Sequence, residues 1–277
     1  MRFIAAAMLL VACGEKEDTA VESETEDAVV AEEEPQATPD IESDPCDPEE
    51  GAVGMRFEGS VKYPDGSYGN QSNTRVHMCS GSCTLARWGE GGFCYPEGSL
   101  EPGVYSLKIV PYGFEGHATP LSVITVDADD IVLEQDVMVP EYSNVLELTE
   151  TELFDAGNGL EINVDPAGYA SYYGTDNYVA AVPVDPATSG LPLVGIDSEK
   201  IVGMWYLGSF DATVAPKWSF QMATELPEGT TVQILNAAYH DRKWMDVGTA
   251  TVDAEGILRS DINSGIARLT TVILLAE

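Results

Sequence analysis

Three sets of residues in this 277-residue chain could do chemistry: five cysteines, three histidines and a knot of tyrosines. Once Cys13 is set aside, Cys46, Cys79, Cys83 and Cys94 form an even set, which in an oxidising compartment reads as two disulfides. Cys79 and Cys83 enclose Ser80-Gly81-Ser82, a span that a tight turn brings within bridging distance, and this leaves Cys46 for Cys94. The pairings Cys46–Cys79 with Cys83–Cys94, and Cys46–Cys83 with Cys79–Cys94, stay open at this level. A zinc site is the rival use of the same thiols. The spacing is not a paired Cys-x-x-Cys, so no metal is expected.

The tyrosines Tyr169, Tyr172, Tyr173 and Tyr178 crowd the stretch GYASYYGTDNY. Exposed rings on a rigid scaffold could stack on sugar rings, while neighbouring polar groups bond the hydroxyls. Tyr172, Tyr173, Asp176 and Asn177 are therefore the candidate ligand-binding set. The competing expectation is that half of these rings point inward as core and the rest flank turns. Trp88 is either a contact at a loop tip or a lid on a core, and Trp205, Trp218 and Trp244 sit in strand-like contexts that suit packing.

Catalytic signatures are absent. The sequence has no His-Glu-x-x-His, no Gly-x-Ser-x-Gly, no Gly-x-Gly-x-x-Gly and no phosphate loop. His77, His117 and His240 are scattered: His77 falls on a candidate strand, and His240 precedes Asp241-Arg242-Lys243 in what reads as an exposed loop. Carboxylates are so plentiful that a close pair of them carries no information. No catalytic residue and no cofactor are expected.

With 13 Lys+Arg against 47 Asp+Glu, the formal charge is -34. Such a chain is repelled by nucleic acid and by anionic lipid surfaces, which removes a nucleic-acid role. Calcium would be the natural partner of so much acid, yet no Asp-x-Asp-x-Asp-Gly loop occurs, although Asp127, Asp129 and Asp130 lie close together.

The elements that must carry these residues begin with an address. Arg2 and the apolar run FIAAAMLLVA lead into Leu10-Val11-Ala12-Cys13. About ten apolar residues are too few to span a bilayer, and small residues before the cut describe an export signal. The cysteine at the cut resembles a bacterial lipoprotein lipobox. The resemblance implies a signal peptide at residues 1–12, lipidation of Cys13 and a membrane partner reached through that lipid. Gly14 is not the aspartate associated with inner-membrane retention in such lipoproteins, so the outer membrane is the preferred site within the cell envelope. Residues 13–50 then form an acidic tether. Between residues 14 and 50 stand sixteen acids, one lysine and four prolines with no aromatic residue. Such a segment cannot bury enough apolar surface to order itself, and coil scaling gives it a span of about 35 Å.

From Gly51 the texture becomes short alternating apolar runs divided by Gly, Pro, Asn and Asp, which predicts an all-β chain of two β-sandwich domains, 51–141 and 142–277. Candidate strands are Phe57 to Tyr63, Val104 to Val110, Leu121 to Val126, Ile131 to Val139, Leu160 to Val164 and Tyr178 to Val184, with three or four more near the end. The runs FEGSVKYPDGS, NTRVHMC and GGFCYPEGSLEPGVYSLKIVPYGFEG resemble a carboxypeptidase regulatory-like domain. Gly59-Ser60-Val61 and Pro102-Gly103-Val104-Tyr105 carry the likeness. It implies a transthyretin-like or starch-binding-like sandwich serving as an appended module. Leu226-Pro227-Glu228-Gly229-Thr230, with Trp244 and Val247 to Val252, makes the remainder similar to ZU5-like modules such as those of cartilage intermediate layer proteins. The His and Ser of a self-cleaving neighbour module are not found.

Two functions follow as expectations. The first is a lipid-anchored, non-enzymatic envelope protein whose sandwiches bind a glycan or another envelope protein. The second is a carbohydrate-active or peptide-processing hydrolase using surface carboxylates, for which the catalytic zinc domain of carboxypeptidases has no counterpart.

Overall fold

Alternation of apolar and polar residues sets the strands of the first half, and the break at Ser60 sets how they divide. The computed structural model describes residues 44–47, 54–112, 116–127, 129–174 and 176–277. Cys13, the expected signal peptide at residues 1–12 and the acidic run as far as residue 43 lie outside the described residues. The strands are β1 (Phe57–Gly59), β2 (Val61–Lys62), β3 (Thr74–Cys79), β4 (Cys83–Leu85), β5 (Arg87–Gly89) and β6 (Gly92–Tyr95). They continue with β7 (Gly103–Pro111), β8 (Leu121–Val126), β9 (Ile131–Val132) and β10 (Val137–Met138). They form sheets in the orders β5-β6-β1-β9 and β4-β3-β7-β8, with the short pair β10-β2. Val76 and Met78 of β3, Leu107 and Ile109 of β7, and Ile124 of β8 meet Phe57, Phe93 and Tyr95 of the other sheet in one core. Trp88 is half-buried against that core, edge-on to Phe93 at 6.0 Å, and so acts as its lid.

Both disulfides are present, in the pairing preferred from the sequence: Cys46–Cys94 and Cys79–Cys83. The first fastens residues 44–47, within the acidic run, to β6. Asp44 strengthens that fastening by accepting the amides of Cys46 and Glu90 at 2.8 and 2.9 Å.

The second half supplies β11 (Asn144–Glu147), β12 (Glu152–Asp155), β13 (Leu160–Val164), β14 (Tyr169–Ala170), β15 (Tyr178–Val184), β16 (Ile201–Gly208) and β17 (Ala212–Trp218). Six more follow: β18 (Phe220–Ala223), β19 (Thr231–Ala238), β20 (Lys243–Val252), β21 (Ile257–Ser260), β22 (Ile266–Leu269) and β23 (Thr271–Ala276). Ten of them make a single sheet, β11-β15-β16-β23-β19-β20-β21-β18-β13-β12, beside a small sheet β14-β17-β22. Phe154 and Ile162, from one end of the long sheet, share a core with Val179 and Leu207 from the other, so the sheet curls over on itself. Trp205 ties the two ends, donating its indole N–H from β16 to the Gly157 carbonyl in the β12–β13 turn at 3.1 Å. Trp218 and Trp244 also pack, the first buried on β17 and the second half-buried on β20.

None of the strands β1–β10 pairs with any of β11–β23, yet the apolar contacts cross that line. Val182, Met204, Tyr206, Leu235 and Ile273 project from the outer face of the ten-stranded sheet into the core of the first half. The described residues form one compact unit as a result.

Candidate functional site

A second apolar cluster joins the two halves, and the candidate site is built on it. Successive residues of a strand point to opposite faces, so the face of β3 and β7 opposite the first core carries His77, Cys79, Ser106 and Lys108. His77 stands opposite Lys108 in the register, and Cys79 stands opposite both Ser106 and Cys83. Against this face lie Phe210, from the β16–β17 turn, and Tyr239, from the β19–β20 turn. The Ser106 hydroxyl donates to the Tyr239 carbonyl at 2.7 Å and fixes that turn. The Tyr239 hydroxyl rests 3.0 Å from the Cys83 sulfur and 3.3 Å from that of Cys79.

Outside this buried layer the rings continue to the surface. Tyr172, in the β14–β15 loop, meets Phe210 edge-on at 6.0 Å, Tyr239 at 6.3 Å and Tyr173 at 4.9 Å. It stacks on His240 at 5.8 Å with an interplanar angle of 28°. Tyr172 and Tyr173 are 42% and 60% exposed, which makes them available to a partner, and His240 is exposed beside them. The other two tyrosines of the stretch pack. Tyr169 lies parallel to Trp218 at 6.3 Å and donates its hydroxyl to the Tyr178 carbonyl at 3.3 Å, both tyrosines being half-buried.

The two polar candidates hold the loop in place. Asp176 accepts the Ser209 hydroxyl at 2.7 Å, and the Asn177 side-chain amide donates to the Leu148 carbonyl at 2.9 Å. Nothing in the sequence ties Phe210, Tyr239, His240 and Lys108 to this site, because they arrive from two separate turns and one strand.

Three titratable groups, Lys108, Asp211 and His77, lie in and beside this layer. Lys108 is buried, with its Nζ 4.6 Å from the Tyr239 ring centre and 5.0 Å from that of Phe210. Burial pushes its ammonium below the usual lysine range, and the Asp211 carboxylate partly restores it. Burial likewise raises the Asp211 carboxyl above the ordinary 3.8, against the pull of Arg268, which donates to its Oδ1 at 3.0 Å. The other oxygen, Oδ2, is buried without a hydrogen bond. His77 is held at about 4 by burial and by the neighbouring Lys108 and Arg75 charges, so it is neutral at pH 7.

This arrangement predicts how Asp211→Asn behaves. The change keeps the side-chain shape, and asparagine tolerates the left-handed backbone at this position, where φ is 53°. Between pH 3.8 and the raised native value, the folded protein holds a proton that the unfolded chain has released. The stability of the parent protein therefore falls as pH rises through that window, and the asparagine variant is spared the loss. Thermal melts should show the variant's midpoint gaining on the parent's from pH 4 to pH 7. A difference that stays flat or shrinks would contradict burial as the dominant effect.

An open cleft of about 510 Å³ lies elsewhere, lined by Arg75, Leu85, Arg87 and Trp88 among others. Arg75 is engaged there, donating to the Gln71 and Thr74 carbonyls and covering the Tyr112 ring. Among the described residues, the aromatic face is the place where exposed rings, buried charges and both halves of the chain converge. No protein-family model matches the chain, and no curated protein matches it at a significant level.

Proposed function

We propose that this protein is a lipid-anchored, non-enzymatic lipoprotein of the bacterial cell envelope whose β-sandwich modules bind a glycan through the face formed by Tyr172, Tyr173 and His240. The observation that carries the reading is that these three rings are exposed side by side over a rigid, packed base. An aromatic face takes the apolar C–H side of a sugar ring, and packing beneath it reduces the entropy lost on binding. Tyrosine and histidine edges add hydroxyl and imidazole groups for the sugar hydroxyls. The lipobox at Cys13 supports the anchor, and the two disulfides suit an oxidising compartment outside the cytoplasm. The likeness of residues 51–141 to carboxypeptidase regulatory-like modules and of 142–277 to ZU5-like modules enters the proposal as motif likeness, with the outer membrane as the preferred location.

The test uses the full chain on a glycan array and on insoluble envelope polysaccharide. Replacing both Tyr172 and Tyr173 by Ala should lower retention by at least about tenfold, since each stacked ring contributes on the order of 1 kcal/mol. The melting free energy should change by about 1 kcal/mol or less, because these positions are exposed. In the same cells, Cys13→Ser should move the protein out of the membrane fraction. Equal retention by the double variant, or turnover of any glycan or peptide by the parent protein, would overturn the reading of the face. Unchanged membrane partitioning of Cys13→Ser would overturn the anchor.

A further inference from the structure

The β3–β4 hairpin holds three soft donors in one place. His77 and Cys79 are two residues apart on β3 and so share a face, and Cys83 stands directly opposite Cys79 on β4. One ligand atom from each of the three lies within 4.8 Å of the others. We propose that the Cys79–Cys83 bridge is the closed form of a zinc site, which opens on reduction so that both thiolates and the His77 imidazole take up one Zn²⁺.

Accessibility selects which bridge opens. Cys83 is exposed while Cys79 is buried, so a dithiol reductant reaches the Cys83 sulfur first. Its thiolate attacks that sulfur and forms a mixed disulfide, and Cys79 leaves as the thiolate. The second thiol of the reductant then displaces Cys83, and the reductant departs as its own disulfide. Two electrons have passed to the bridge, and two thiols result. Zinc binding replaces their two protons with two Zn–S bonds, and the His77 nitrogen supplies a third. The other bridge is less open to attack, since Cys94 is buried and Cys46 is only half-exposed, whereas Cys83 is exposed.

The donor set argues for zinc over a hard cation. Two sulfurs and one nitrogen suit a tetrahedral d¹⁰ ion, and three protein ligands leave the fourth position to water. Two thiolate charges neutralise the dication, which offsets the nearby Lys108. The Tyr239 hydroxyl, already 3.0 and 3.3 Å from the two sulfurs, is placed to hydrogen-bond the thiolates from outside the coordination sphere. A β-hairpin fixes all three ligands without help from a mobile loop.

The sequence favoured a bridge over a metal, and the bridge is present; the zinc site belongs to the reduced form of the same residues. It is independent of glycan binding, and its test does not use a glycan. The full chain is treated with a dithiol, freed of it without oxygen, and titrated first with Co²⁺ as a spectroscopic stand-in and then with Zn²⁺. Expected results are two more free thiols per chain than in the oxidised protein, a sulfur-to-cobalt charge-transfer band, and displacement of cobalt by one equivalent of zinc. His77→Gln should weaken zinc binding by about tenfold or more, and Cys83→Ser should abolish the band. The oxidised protein should bind neither ion at this site.

Circular dichroism follows the fold throughout. If reduction loosens the β structure, zinc should restore it, and failure to restore it overturns the proposal. So does a folded reduced protein without a charge-transfer band, or a band that His77→Gln and Cys83→Ser leave unchanged.

Discussion

Replacing Cys46 and Cys94 together by serine should lower the stability of the folded region by about 4 kcal/mol, whereas the same change at Cys79 and Cys83 should cost about 2 kcal/mol. The difference comes from loop length. The first bridge closes 48 residues and the second only 4, and a longer closed loop removes more freedom from the unfolded chain. Position widens the gap. Cys94 sits in β6 between Phe93 and Tyr95, all three buried, and pairs with Glu58 of β1 in the register. Losing the bridge also frees Asp44, whose two backbone acceptances hold the chain over the β5–β6 turn. For a folded region of this size, the Cys46/Cys94 change should lower the melting midpoint by on the order of 10 °C. Denaturant titration of both double-serine variants checks this. A larger loss from the Cys79/Cys83 pair would mean that the junction between the halves, and not chain entropy, sets the stability.

A strand is legible in the sequence where turn residues bound its run or a polar face gives it a period of two. The bounds read for Leu121–Val126, Leu160–Val164 and Tyr178–Val184 coincide with β8, β13 and β15, where turn residues end each run cleanly. The apolar pattern from Ile131 to Val139 predicts one strand, and the chain forms two, β9 and β10. β9 pairs in parallel with β1 and β10 in parallel with β2, so the gap between them follows the break at Ser60, whose hydroxyl donates to Asp136. β16 gave no alternation to read because Met204 and Tyr206 enter one core while Trp205 and Leu207 enter the other. A strand apolar on both faces loses its period of two.

The site was legible only where it was local. Tyr172 and Tyr173 stood out by crowding, and His240 read correctly as exposed. That His240 stacks on Tyr172, over Phe210 and Tyr239, depends on how three distant turns meet, and no spacing within one segment encodes that. Lys108 was hidden for the opposite reason. It looks like the polar member of an alternating strand, yet the second half of the chain covers its face.

Trp205→Ala and Tyr206→Ala should each cost about 3–5 kcal/mol, as large aromatic truncations in a packed core do, but they should loosen different parts of the molecule. Both side chains are fully buried, and they are neighbours on one strand facing opposite ways. Trp205 lies against Gly203, where any side chain would strike the indole, and its N–H holds the Gly157 carbonyl in the β12–β13 turn. Its removal should raise hydrogen exchange in β12, β13 and β15, where the curled sheet closes. Tyr206 belongs to the core that also contains Val76, Leu107 and Ile109 of the first half. Its removal should therefore raise exchange in β3 and β7, although no strand of that half pairs with β16. The comparison separates two kinds of construction. If the halves were independent sandwiches that merely touch, Tyr206→Ala would leave β3 and β7 as protected as before. If one apolar core runs through the junction, the first half yields to a substitution made in the second, and the aromatic face above that junction is held in shape by both.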